Sequence, residues 1–330
     1  MRNHLYRVGV PCIDLERTDD ELLAFNAIPV PKRTYRLGVH DSKTVDAYVK
    51  LICTYIIWMR GRGEQPFPAT GEAIVAFLTD LLAQGRSLPM VLRHVTAINA
   101  HHRAHGLPNV AYPQLGNLIV RLRKAHHGRQ ATPLSYDALH ALHDVARLRE
   151  PTRAMRDTAL LLFAFASAMR PSEIANVQIE DLCFEYDGVV VFIPKSKGDR
   201  KGDGQFVTIV RNPHSDYCPV HALERWIART GRKSGPVFTG ITRYGTLKDR
   251  GVSTTCLQNT IRNYTDKLRL PGRYTMYSMR RGFATEADKM GVPEWKTQKH
   301  LRHEHWQTTK GYTASVPTPF SQSITAVVMP

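Results

Sequence analysis

The chain has 330 residues, 42% of them apolar and 8% aromatic, which is enough to bury a core in each of two domains and argues against a disordered polypeptide. Lys and Arg number 45 against 29 Asp and Glu, a formal net charge of +16 spread over both halves of the chain, and such an excess favours a polyanionic partner. Five scattered cysteines without a Cys-x-x-Cys pair argue against a disulfide framework or a structural zinc site. The charged N-terminus lacks an apolar signal core and no stretch approaches the roughly 18 apolar residues of a membrane span, so the expected location is the cytoplasm, beside the nucleoid, with no membrane partner.

Residues 1–38 carry three prolines and no sustained period, and read as an N-terminal arm. From Ser42 the apolar positions Val45, Tyr48, Leu51, Ile52, Tyr55, Ile56 and Met59 recur at three- and four-residue steps until Gly61 and Gly63, the mark of an amphipathic helix. Further helices are predicted over 71–82, 88–105 and 113–126, so residues 39–127 form an all-helical domain. Residues 128–134 read as a polar linker, followed by Ser135, a plausible helix cap.

Beyond it the spacing predicts helices over 135–147, 155–169 and 172–177. The apolar run 159–169 reads as a buried core helix that ends at Arg170. A hairpin is predicted from strands 189–194 and 205–210, joined by a Gly- and Lys-rich segment too polar to pack. Two more helices follow, one opening at Cys218 and one over 253–268. A catalytic domain is placed at 135–312 and a C-terminal tail at 313–330.

Four runs carry chemistry: Ala168-Met-Arg170-Pro-Ser-Glu173, Lys195-Ser-Lys197-Gly-Asp, Tyr277-Ser-Met-Arg280-Arg281, and His303-Glu-His-Trp-Gln-Thr-Thr-Lys-Gly-Tyr312. Each has a plain structural reading. Arg170 can be an ion-pair partner of Glu173 or Asp181, the two adjacent arginines a solvated helix face, the lysines a charged turn, and Tyr312 a packed aromatic. His303 with His305, and His101 with His102 and His105, lack a third ligand at a recognisable zinc spacing.

In order and internal spacing the four runs resemble the active-site boxes of the tyrosine recombinase (phage integrase) family, and the 91–108 stretch resembles the third helix of that family's core-binding domain. The resemblance implies a mainly α protein, with a SAM-like helical core-binding domain ahead of a mostly helical catalytic domain that holds a small antiparallel β-sheet. It implies a site-specific recombinase that needs neither metal nor other cofactor. Arg170 and Arg280 bracket a DNA phosphate, Glu173 supports Arg170, and Lys197 protonates the leaving oxygen, with Lys195 and Lys201 as close rivals. His303 hydrogen-bonds the phosphate, and Tyr312 attacks phosphorus to give a 3′-phosphotyrosyl bond.

Two positions depart from the pattern. Tyr277 stands where histidine is usual, and a phenol donates or relays a hydrogen bond but is a poor general base. Arg302 stands where glycine normally precedes His303. The expected partner is double-stranded DNA with inverted half-sites, bound by a homodimer and synapsed as a homotetramer through a Holliday junction, with the tail packing either in cis or on a neighbour. Arg93, Arg103, Arg123, Lys124, Arg262 and Arg281 are candidate DNA contacts, with Arg281 alternatively a structural partner. The alternatives are a type IB topoisomerase, or a DNA-binding protein that keeps the scaffold without the reaction.

Overall fold

The computed structural model describes residues 42–110, 113–125, 130–194 and 203–313. The arm, the hairpin lysines Lys195, Lys197 and Lys201, and the tail beyond Thr313 lie outside the described residues. The chain divides into two compact units at residue 128.

The first unit is built from helices α1 (Ser42–Gly61), α2 (Gly71–Ala83), α3 (Leu88–Ala104) and α4 (Pro113–Ala125). The helical spacing read from Val45 onward closes into a core: Tyr55, Met59, Phe77, Leu78, Val91 and Ile98 pack in one cluster, and Val49, Ile52, Ile56 and Ala97 in an adjoining one. Thr70 starts α2 by accepting the Ala73 N–H, as an N-cap hydroxyl does. His102 is buried and structural. Its Nε2 accepts the Ala69 N–H at 3.0 Å, so its Nδ1–H donates to the Pro108 carbonyl at 2.7 Å.

The second unit opens with residues expected in the linker. Thr132 and Leu134 are instead bound into it, Thr132 N–H to the Arg273 carbonyl and Leu134 N–H to the Ser278 carbonyl, with Leu134 fully buried. Ser135 then caps α5 (Tyr136–Arg147) through the Ala138 N–H. Helix α6 (Pro151–Ser167) is apolar on all faces from Ala159 to Phe165 and is buried accordingly. It stops short of the expected end, because Ala168 turns left-handed at φ 47°. Arg170 therefore does not close this helix; it is the N-cap of α7 (Pro171–Asn176), whose first position is proline.

A meander of β1 (Leu182–Glu185), β2 (Gly188–Ile193) and β3 (Gln205–Val210) follows, antiparallel throughout, with Val191 opposite Val207. The alternation of Val189, Val191 and Ile193 turns one face of β2 to the core. Next come α8 (Pro219–Thr230), a two-stranded ribbon of β4 (Thr239–Ile241) and β5 (Leu247–Gly251), and helices α9 (Thr254–Lys267), α10 (Met276–Lys289), α11 (Glu294–Leu301) and α12 (Trp306–Thr313). The expectation of a mainly α fold with small antiparallel sheets is met. Helix α10 lies hard against the entry segment: a Cβ on Gly282 would fall 2.0 Å from the Leu134 carbonyl oxygen. No described helix is long and apolar enough to cross a membrane.

Candidate active site

Arg280 is the buried centre of the site. It lies inside α10, 1% exposed, where a cation needs partners to offset desolvation. Two helix ends supply them. Its Nη1 donates to the carbonyl of Ala168, the left-handed cap of α6, and its Nη2 to the carbonyl of Leu301, the last residue of α11. Both carbonyls sit where a helix presents unpaired acceptors and the negative end of its dipole. Burial still draws the Arg280 guanidinium below its ordinary value, while Tyr312 opposes the shift and Arg170 adds to it.

Arg170 reaches the same region from the start of α7. Its Nη1 donates to Glu173 Oε1 at 2.8 Å and its backbone N–H to Glu173 Oε2 at 2.8 Å, a capping arrangement that orients the side chain from its own first turn. Glu173 also accepts from Arg302 Nη2 at 2.7 Å. Burial pushes the Glu173 carboxyl up, but Arg302, with the hydrogen bonds and charge of Arg170, outweighs this and holds it below the ordinary range. Glu173 is therefore ionised between two arginines. Burial lowers the Arg302 guanidinium to about 10 despite the charge of Glu173, and Arg280 and Arg170 push in the same direction.

Arg302 is also the C-cap of α11, at φ 56° and ψ 46°. A left-handed turn here lets His303 swing back toward α10, and only glycine adopts it without strain. The departure at position 302 is thus a non-glycine residue held in a glycine conformation. His303 is buried, with Nδ1 2.8 Å from Thr309 Oγ1. Burial first, and then the charges of Arg280, Arg170 and Arg302, drive its imidazole down to about 3. Its ring meets Tyr312 edge to face at 5.2 Å.

Tyr312 stands on α12, one helical turn beyond Thr309, and packs on the small cluster of Ala168, Ala284 and Leu301. The Arg281 guanidinium lies 5.8 Å from its ring centroid. Arg281 itself is buried and donates to the Ala131 carbonyl at 2.7 Å, a tie between α10 and the entry segment that fits the structural one of its two expected roles. Four expected residues, Arg170, Arg280, His303 and Tyr312, are thus brought together with Glu173.

The other candidates are dispersed. Tyr277 lies in the first turn of α10 with its side chain exposed, and no hydrogen bond or ring contact from its phenol to the central group is found among the described residues. Arg93 and Arg103 are exposed on α3, the latter 3.3 Å from Asn109 Oδ1. Arg262 is exposed on α9, 3.5 Å from Asp266. Arg123 and Lys124 fall in the last turn of α4. Sequence reading missed Thr309, whose signal was its place three residues before Tyr312 on one helix face. Among the described residues no group of three His, Cys, Asp or Glu side chains is placed to hold a metal ion.

The family model described as "Phage integrase family" matches residues 134–318, more than half of the chain and the whole of this site. The chain belongs to the phage integrase family. As a member of this tyrosine recombinase family it is an enzyme of DNA strand breakage and rejoining. The integrase/recombinase xerD homolog of Selenomonas ruminantium is 31% identical over 268 residues, covering 79% of this chain and 78% of the relative. The tyrosine recombinase XerA of Pyrococcus horikoshii is 23% identical over 250 residues, covering 76% and 78%. Among solved structures, the Tn1549 transposon integrase in complex with transposon right end DNA shares the integrase fold at a TM-score of 0.65 and 13% identity, over 91% of this chain and 99% of that one. A lambda integrase dimer bound to a core site does so at 0.61 and 15%, over 89% and 94%.

Proposed function

We propose that this integrase-family enzyme recombines DNA at specific sites through a covalent 3′-phosphotyrosyl intermediate. The observation that carries the reading is the convergence of Arg170, Arg280, His303 and Tyr312 around one buried cationic centre. Two guanidiniums supply planar donors to the non-bridging oxygens of a phosphate and stabilise the charge of a five-coordinate transition state. The Tyr312 oxygen attacks phosphorus, the bond to the 5′ oxygen breaks as the new ester forms, and Lys197 gives a proton to the departing oxygen. Attack by a 5′ hydroxyl from another strand reverses the step, so the energy of the phosphodiester is conserved and no cofactor is consumed.

His303 acts as a neutral imidazole. A hydrogen bond donated by the Thr309 hydroxyl to Nδ1 leaves Nε2–H as the donor toward the phosphate. Glu173 and the carbonyls of Ala168 and Leu301 hold the two arginines in advance of binding. In this reading the first unit is a core-binding domain that contacts duplex DNA, two protomers occupy inverted half-sites, and four exchange strands through a Holliday junction.

The test maps covalent attachment on genomic fragments that flank the gene, comparing the wild type with Tyr312→Phe. The expected result is an SDS-resistant adduct at one sequence for the wild type and none for the variant, which keeps the ring and loses only the oxygen. An adduct that persists in Tyr312→Phe would overturn the assignment. Relaxation of supercoils without exchange of ends between two marked duplexes would make the enzyme a topoisomerase.

A further inference from the structure

Arg302 combines two features that a purely structural residue seldom tolerates. Its backbone occupies a left-handed conformation at φ 56°, which strains any side chain beyond glycine. Its guanidinium is buried, yet among the described residues only Nη2 has a partner, the Glu173 carboxylate, while Nε and Nη1 have none. Unpaired buried donors on a cation are costly, and they persist where a ligand satisfies them. An ion pair with Glu173 alone does not require this residue, because Arg170 already holds the same carboxylate at 2.8 Å.

The surroundings indicate the ligand. Arg302 is adjacent to His303 in sequence, and both line an open cleft of about 600 Å³ together with Gln205, Phe206 and Lys299. It shares Glu173 with Arg170, and its neighbours include Arg280. Three guanidiniums around the single Glu173 carboxylate leave the group with an excess of positive charge that an entering anion would balance. The unpaired donors, the clustering of like charge and the cleft all point to a doubly coordinating anion such as a phosphate.

We propose, resting on the recombinase reading above, that Arg302 is a third phosphate-binding arginine of this site, held by Glu173 through Nη2 and offering Nε and Nη1 to the phosphate that Arg170 and Arg280 grip. Glu173 then balances two arginines at once and keeps both aimed at one point.

The test compares the wild type with Arg302→Gly, which suits the left-handed backbone, and Arg302→Lys, which keeps the charge but loses the planar fork. Each is given nicked duplexes of the mapped site carrying either an ordinary phosphodiester or an uncharged methylphosphonate at the scissile position. Arg302→Gly is expected to slow adduct formation by about tenfold or more on the phosphodiester, with the deficit largely removed on the methylphosphonate, and Arg302→Lys to fall between. Equal deficits on both duplexes, or wild-type rates on the phosphodiester, would show a structural role and overturn the proposal. If Arg302→Gly does not fold, the same comparison is read from Arg302→Lys.

A wild type that forms no adduct on any duplex refutes the recombinase reading, and Arg302 is then judged by binding. Full-length protein is titrated with a duplex at several salt concentrations, and loss of one phosphate contact in Arg302→Gly lowers the slope of log affinity against log salt by about 0.9. An unchanged slope would overturn the proposal in that case.

Discussion

His303 shows how the surroundings of one residue set its charge. Its folded value of about 3 lies below the ordinary 6.5, through burial and the charges of three arginines. The unfolded chain therefore takes up a proton first as pH falls. Stability contributed by the neutral ring is fully present above about 6.5 and is lost progressively as pH drops toward 3. Urea midpoints measured between pH 7 and 4 should decline for the wild type and decline less for His303→Gln. His101, lowered to about 4 mainly by burial and then by His105 and His102, contributes a second part of the slope that the variant retains. Protonation of His303 should also leave no break at the ordinary histidine value in the pH profile of adduct formation.

At the scale of elements, the second unit depends on α10 lying close to the entry segment. Gly282→Ala would place a methyl 2.0 Å from the Leu134 carbonyl oxygen, with backbone on both sides of the clash. The expected cost is about 1–3 kcal/mol, read as a lower urea midpoint with an unchanged slope, and Arg280 should lose geometry along with it. Much at this scale was legible beforehand. The periodicity from Val45 gave its helix and the all-apolar run gave α6 apart from its ends, and Val189 to Val210 gave the strands of the hairpin. Ribbon β4–β5 was not legible, because Leu247–Gly251 reads as a charged loop and takes its strand form from pairing with Thr239–Ile241. The break at Ala168 was equally hidden. Alanine favours helix, and its left-handed turn answers the guanidinium of Arg280, a partner 112 residues away.

For the whole molecule, the family resemblance supplied the members of the site and their expected roles, but not the contacts that hold them. Arg170, Glu173, Arg280, His303 and Tyr312 could be named because their runs resemble the family's active-site boxes, whereas the sharing of Glu173 and the tie from Arg281 to Ala131 needed the fold. The charge of +16 belongs to this scale as well. If the chain contacts about 6–10 phosphates, raising salt from about 50 to 200 mM should weaken duplex binding by about 10³ to 10⁵. Fluorescence anisotropy with a labelled duplex measures this, and a nearly flat dependence would remove the electrostatic case for a nucleic-acid partner.

The anchoring of Arg280 by carbonyls at the ends of α6 and α11 has a further outcome for how such an enzyme decays. An arginine that ties two helices together is retained by selection for folding even after selection for chemistry has lapsed. In a lineage drifting toward inactivity, a surviving Arg280 would therefore testify to architecture as much as to turnover.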